Sequence, residues 1–124
     1  MDLYNISKEN KKDNIEEKAT ISFGYGCIAS KKIFDGNYKI GYMVREIPSS
    51  NYPDSGWQFF VGDEDEEYTQ DSNNLKIYSL DTMVKHDSNI EKYLDYPTGS
   101  KLIRINEHEF INDDGTSEIY IARK

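Results

Sequence analysis

The 124-residue chain has one cysteine, three prolines and no long apolar run. A lone thiol, Cys27, excludes an intramolecular disulfide and fits a reducing cytoplasm. It stands in an apolar and small-residue strand pattern, where a thiol acts as buried filler sooner than as a reactive group. Nothing approaches the roughly 20 apolar residues of a membrane span. Met1 to Lys18 mixes acids with lysines and lacks the apolar centre of a signal peptide. Cations are scarce too: Lys and Arg total 15 against 23 Asp and Glu, a net charge of −8. Nucleic-acid binding needs clustered cations that release counterions, so this balance argues against direct contact with DNA or RNA. The same charge favours a basic protein partner, including the cleft of a nuclease, and it also serves plain solubility.

The motifs of catalysis are missing as well. His86 and His108 are the only histidines, each in a polar, acid-rich stretch with no second His or Cys at metal-ligand spacing. A zinc site is therefore not expected, and His86 reads as a polar helix residue and not as a general base. There is no Gly-Lys-Ser or Gly-Lys-Thr phosphate loop. Gly24-Tyr25-Gly26 offers two glycines of a nucleotide fingerprint, but Ala29 stands where the third belongs and no helix follows. With 23 acids, carboxylate pairs arise by abundance alone. Arg45 and Glu46 read as a structural charged pair near a sheet end. No catalytic residue, cofactor or resident metal is expected.

What is present is aromatic surface: ten Tyr, five Phe and one Trp, which argue for a packed domain against disorder. The length predicts one domain, with residues 1–18 as a polar arm and 19–124 as a single α+β unit. Alternation from Ala19 places Ile21, Phe23, Tyr25 and Cys27 on one strand face. Asp35-Gly36 reads as the tight turn of a hairpin to a second strand near Tyr38 to Ile47. Gly56 to Val61 predicts a third strand with Trp57, Phe59 and Val61 on one face, and Leu75 to Tyr78 a fourth. Leu80, Met83 and Val84, then Ile90, Tyr93 and Leu94, have helical spacing, with Asp87 as a cap and Pro97 and Gly99 as terminators. Lys101 to Ile105 and Glu118 to Ala122 read as final strands joined around Asp114-Gly115. The expected architecture is a mostly antiparallel sheet of about five to six strands, with one or two short helices packed on one face.

The strongest local feature is acidic. Asp54 to Asp71 holds Asp54, Asp63, Glu64, Asp65, Glu66, Glu67 and Asp71 and no Lys or Arg. Exposed to water and salt, such a run reads as a solvated loop. Asp63, Asp65 and Glu67 alternate like the first ligands of a calcium loop, but Tyr68 stands where the turn glycine belongs and Asn74 where the bidentate acid belongs. A third reading is an acidic docking surface with aromatic neighbours as anchors. Trp57 reads as core sooner than as contact.

Three blocks of the chain resemble one bacterial family. They are Gly41-Tyr42-Met43-Val44-Arg45-Glu46, the run from Asp54-Ser55-Gly56-Trp57 through Gly62-Asp63-Glu64-Asp65-Glu66-Glu67-Tyr68, and the segments Asn73 to Leu80 and Tyr93 to Ser100. The chain is similar to the immunity protein 33 domain family over roughly Cys27 to Arg104. The resemblance implies a non-enzymatic immunity protein of a bacterial polymorphic toxin system, which binds and blocks a cognate toxin domain. It carries over no catalytic residue. Its matching positions include Trp57, Gly62, Asp63, Glu64, Asp65 and Tyr68, with Arg45, Pro97 and Gly99 as structural positions. The N-terminal arm and Lys101-Leu102-Ile103 depart from the pattern. On this reading, Asp63, Glu64, Asp65, Glu66 and Glu67 meet basic groups of the toxin, a basic nuclease being the partner that the charge suggests. Tyr68, Tyr78 and Tyr96 supply the packed centre of the interface, on a cytoplasmic monomer or weak dimer. The alternative is a small binding module, with the acidic loop taking a divalent cation.

Overall fold

A computed structural model describes residues 25–50 and 52–123. The expected polar arm, residues 1–18, and the start of the first expected strand, with Ile21 and Phe23, lie outside the described residues.

Among the described residues, six strands form one mixed sheet: β1 (Gly26–Ser30), β2 (Tyr42–Arg45), β3 (Asp54–Phe60), β4 (Leu75–Ser79), β5 (Lys101–Arg104) and β6 (Phe110–Asn112). Their order across the sheet is β4-β1-β3-β2-β5-β6. Helices are short: α1 (Lys32–Asp35), α2 (Glu66–Gln70) and α3 (Leu80–His86), with 3-10 turns at Ser72–Asn74 and Ser88–Tyr93. The class is α+β, as expected.

Strand periodicity sorts the side chains. Ala29 and Met43 both lie opposite Phe59, Arg45 opposite Trp57 and Leu102 opposite Met43, so these residues share one face. That face is buried against Ile33, Leu80, Met83, Ile90, Tyr93 and Leu94 from the helical segments. Trp57, Phe59 and Val61 are fully buried, as their alternation predicts. Ser79 caps α3 by accepting the Thr82 N–H, and Asp87 caps the following turn by accepting that of Asn89.

The sheet departs from the sequence expectation at two places. The Asp35-Gly36 hairpin does not form, because β1 and β2 are not neighbours. Instead β1 lies between β3, to which it runs parallel, and β4, to which it runs antiparallel. Ile33 is the cause: its fully buried side chain draws residues 32–35 over the core as a helical turn. Gly36 closes that turn, donating its N–H to the Lys32 carbonyl at 3.0 Å. The sheet is accordingly mixed: β1 and β3 run parallel, while the other four pairings are antiparallel, so it is mostly antiparallel as expected.

The second departure is at the C-terminus. Glu118 to Ala122 is no strand; it touches the fold through isolated bonds, Tyr120 N–H to the Arg104 carbonyl and Lys39 N–H to that of Ala122. The strand that pairs with β5 is β6. Its turn is made by a side chain, since Asn106 Oδ1 accepts the N–H groups of His108 and Glu109 at 2.8 and 2.9 Å.

Among the described residues, one ion pair lies inside the fold. Arg104 is fully buried and Asp87 nearly so, and the guanidinium bonds the Asp87 carboxylate and the Ile40 and Glu107 carbonyls while lying 4.6 Å from the Phe110 ring centre. Asp87 also accepts the Ile40 N–H at 3.0 Å. Every polar atom of the pair thus has an opposite, which such burial demands.

Candidate functional site

From Asp63 onward the acidic run is the crossover from β3 to β4, carried past the end of β1 that lies between them, whereas Asp54 starts β3 at its other end. Lys31 N–H donates to the Asn74 carbonyl at 2.9 Å, and Lys32 Nζ lies 2.9 Å from Asp63 Oδ1, so the crossover is pinned to the segment that follows β1. That contact with Asp63 raises the Lys32 pKa.

Most of the acids have a local task. Glu64 accepts the Val61 and Gly62 N–H groups at 2.9 and 2.8 Å, ending β3. Asp65 is the N-cap of α2, accepting the Tyr68 N–H at 2.8 Å. Asp71 caps the next turn through the Asn73 N–H at 2.9 Å. Carboxylates suit these positions because the first N–H groups of a helical turn have no internal acceptor. Glu66 contacts Gln70 Nε2 at 3.1 Å, and Glu67 is exposed. The run is therefore a series of caps whose remaining oxygens face water, a role the sequence signals through its Asp-x-x-Tyr and Asp-x-Asn spacings.

This division of labour bears on the calcium-like alternation. Asp63 is turned to Lys32 and Asp65 to its own helix, and among the described residues no three His, Cys, Asp or Glu side chains gather as a metal site requires.

The expected aromatic anchors are divided. Tyr68 follows the acids in α2, and Tyr78 on β4 packs its ring 4.8 Å from that of Phe34. Burial raises the Tyr78 hydroxyl pKa, and Tyr68 is near enough to add to the effect. Tyr96 lies elsewhere, at the opposite end of β3. Its carbonyl accepts from Arg45 Nη1 at 2.7 Å, and Arg45 lies opposite Trp57. From Trp57 to Gly62 the chain covers about 17 Å at strand rise, so Tyr96 belongs to a different surface from the acidic crossover.

That opposite end gathers the expected structural positions. Arg45 Nε donates to the Ser55 carbonyl at 3.0 Å, its guanidinium lies 5.7 Å from the Trp57 ring, and Trp57 Nε1 donates to the Leu94 carbonyl at 2.9 Å. Gly99 N–H donates to the Arg45 carbonyl at 2.7 Å, just after Pro97. Arg45 is thus spent on carbonyls, and the expected pairing with Glu46 is not its role; burial lowers its pKa, against the opposing charge of Asp95. Gly56 has φ +86°, and a Cβ there would stand 2.2 Å from the Glu46 carbonyl oxygen, so the Ser-Gly-Trp sequence is a backbone requirement. Cys27 is buried beside this corner, its thiol pKa pushed up to about 12 by burial. His86 is tied into the fold, its Nε2 lying 2.6 Å from the Tyr38 carbonyl.

No described helix is long and apolar enough to cross a membrane. Comparison with curated proteins and with solved structures gives no match. A family model described as the immunity protein Imm33 domain matches residues 27–114, which include the Arg45–Trp57 corner and the whole acidic crossover. The match takes in more than half of the chain, and the protein belongs to the Imm33 immunity protein domain family.

Proposed function

We propose that this protein neutralises a cognate bacterial toxin in the cytoplasm by binding it directly, with the acidic crossover as its docking surface and no catalytic step of its own. Family membership supports the immunity role. The observation that carries the surface is the crossover itself: Asp63, Glu66 and Glu67 stand exposed on one rim of the sheet, and Lys32 is the only cation that an ion pair joins to them among the described residues. Glu64, Asp65 and Asp71 hold that rim in shape, and Tyr68 and Tyr78 lie on its flank. A rim of one sign steers a basic partner, such as the substrate channel of a nuclease, and speeds association at low salt. Tyr96 has no part in this surface.

The test is co-purification with the product of the neighbouring gene, paired with a growth-rescue assay. A complex that restores growth is expected. Reversal of the two acids that cap nothing, Glu66→Lys with Glu67→Lys, is expected to slow association tenfold or more at low salt while the thermal midpoint stays near that of the wild type. A double variant that associates and protects like wild type would overturn the acidic surface. Absence of both complex and rescue would overturn the immunity reading.

A further inference from the structure

Among the described residues the sheet has two edges, and they differ. β6 is three residues long, whereas β4 has five residues and enters directly from the acidic crossover. The hydrogen-bond phase of β4 is fixed by the bonds that flank it: Lys31 N–H to the Asn74 carbonyl at one end, and Leu80 N–H to that of Tyr25 at the other. Antiparallel partners alternate between bonded and non-bonded pairs. Tyr78 and Lys76 therefore turn their main chain to Cys27 and Ala29 of β1, and Ile77, opposite Ile28, turns its N–H and C=O outward. The Leu75 carbonyl and the Ser79 N–H point the same way.

The side chains beside this edge are suited to contact. Ile77 is 56% exposed, on the sheet face opposite the one that packs against α1 and α3. It lines a shallow apolar cleft with Ile28, Leu75, Ser72 and Lys76. Lys76, the residue that would defend such an edge by its charge, instead holds its ammonium 5.5 Å from the Tyr78 ring centre. Just ahead of the strand stand Asp71 and, in α2, Glu66 and Glu67.

We infer that the outer edge of β4 takes an extended, basic segment of the toxin as a seventh strand. This rests on the toxin-binding reading and specifies how the partner is held. Main-chain bonds to Ile77 would supply affinity, and the cleft at Ile28 and Ile77 would take alternate apolar side chains of the added strand. Its cations would meet Glu66, Glu67 and Asp71. Charge selects this occupant over a second copy, since each copy carries −8 and brings its own acidic rim.

Proline can separate the outward bond from the fold. It lacks an N–H and is tolerated where that group faces away from the sheet, so Ile77→Pro removes an outward donor and spares the β1 ladder. Full-length Ile77→Pro is expected to bind the neighbouring gene's product at least tenfold more weakly, with a thermal midpoint near wild type. Ile77→Thr, which keeps the N–H, is expected to stay within about threefold of wild type. In hydrogen exchange, the Ile77 and Ser79 amides are expected to exchange fast in the isolated protein and slowly in the complex. A complex that forms and rescues growth with Ile77→Pro unimpaired and both amides unprotected would overturn the edge while leaving immunity intact. Amides already slow in the isolated monomer would mean that the chain covers its own edge. A wild-type dimer in sedimentation that Ile77→Pro dissociates would make the occupant a second copy. Either result would overturn the inference. If wild type neither forms a complex nor rescues growth, the toxin reading fails and takes this inference with it.

Discussion

The two ends of β3 are closed by the same device and put to opposite uses. At the first, Gly56 takes a positive φ and donates its N–H to Asp54 at 2.9 Å; at the second, Gly62 takes a positive φ and donates to Glu64 at 2.8 Å. A glycine with an acidic acceptor two residues away stands at both ends, just inside the strand at its start and just past it at its finish. Beside Gly56, Ser55 and Trp57 are buried, and Arg45 reaches over them to backbone carbonyls. Around Gly62 the carboxylates continue into water. A capping acid can therefore belong to a sealed corner or to a displayed rim, and what decides is the apolar surface of its neighbours.

That contrast can be broken from the sealed side first. Trp57→Ala removes a fully buried ring and the bond to Leu94, and it is expected to cost about 3–5 kcal/mol in denaturant unfolding. No single substitution among the crossover acids should come near this. Next stands the glycine pair. Both Gly56→Ala and Gly62→Ala meet the left-handed penalty of about 1–2 kcal/mol. The added methyl at Gly56 also meets a fixed carbonyl oxygen at 2.2 Å, while at Gly62 it meets the Ile119 side chain at 2.8 Å, which can turn away. Gly56→Ala is therefore expected to be the worse of the two, as parallel thermal melts would show.

On the rim, Asp65→Ala removes the α2 cap and is expected to cost about 1 kcal/mol, and Asp65→Asn to restore most of it. Equal stability of Asp65→Ala and wild type would remove Asp65 from the scaffold. The last effect concerns the sealed corner and is confined to high pH. Cys27 holds its proton more tightly folded than unfolded, so its contribution is complete below the ordinary thiol value of 9.0. It is lost as the pH rises toward about 12, and Tyr42 and Tyr78, whose values burial also raises, act in the same direction. The unfolding midpoint should fall across that window, less steeply in Cys27→Ala. A thiol reagent should label Cys27 at neutral pH only on unfolding.

Sequence periodicity was enough for β3, β4 and the helical segments from Leu80 to Leu94, because each has an uninterrupted apolar face. It was not enough for the connection between β1 and β2. Asp35-Gly36 fits a hairpin turn as well as a helix end, and only the burial of Ile33 distinguishes them. Glu118 to Ala122 alternates like a strand yet finds no free edge, because β6 already occupies the side of β5. Arg104 inside an apolar strand hints at an internal partner, but Asp87 looks like a helix cap, and it serves as both. In the site, the acids and Tyr68 could be grouped from their adjacency in the chain. Tyr96 could not be set apart from them without knowing which end of β3 it faces. The edge position of β4 depends wholly on strand order, which alternation does not encode.

The place of β1 has a consequence in time. It is the first of the six strands to be synthesised, yet its partners are Asp54–Phe60 and Leu75–Ser79, far along the chain. Pairings between residues so distant in sequence slow the search for the native state. A nascent chain ending before Leu75 leaves β1 with one side open, and one ending before Arg104 leaves Asp87 without its buried counter-charge. Closure of this domain is thus a late, collective event that waits for the chain to be made at least as far as Arg104.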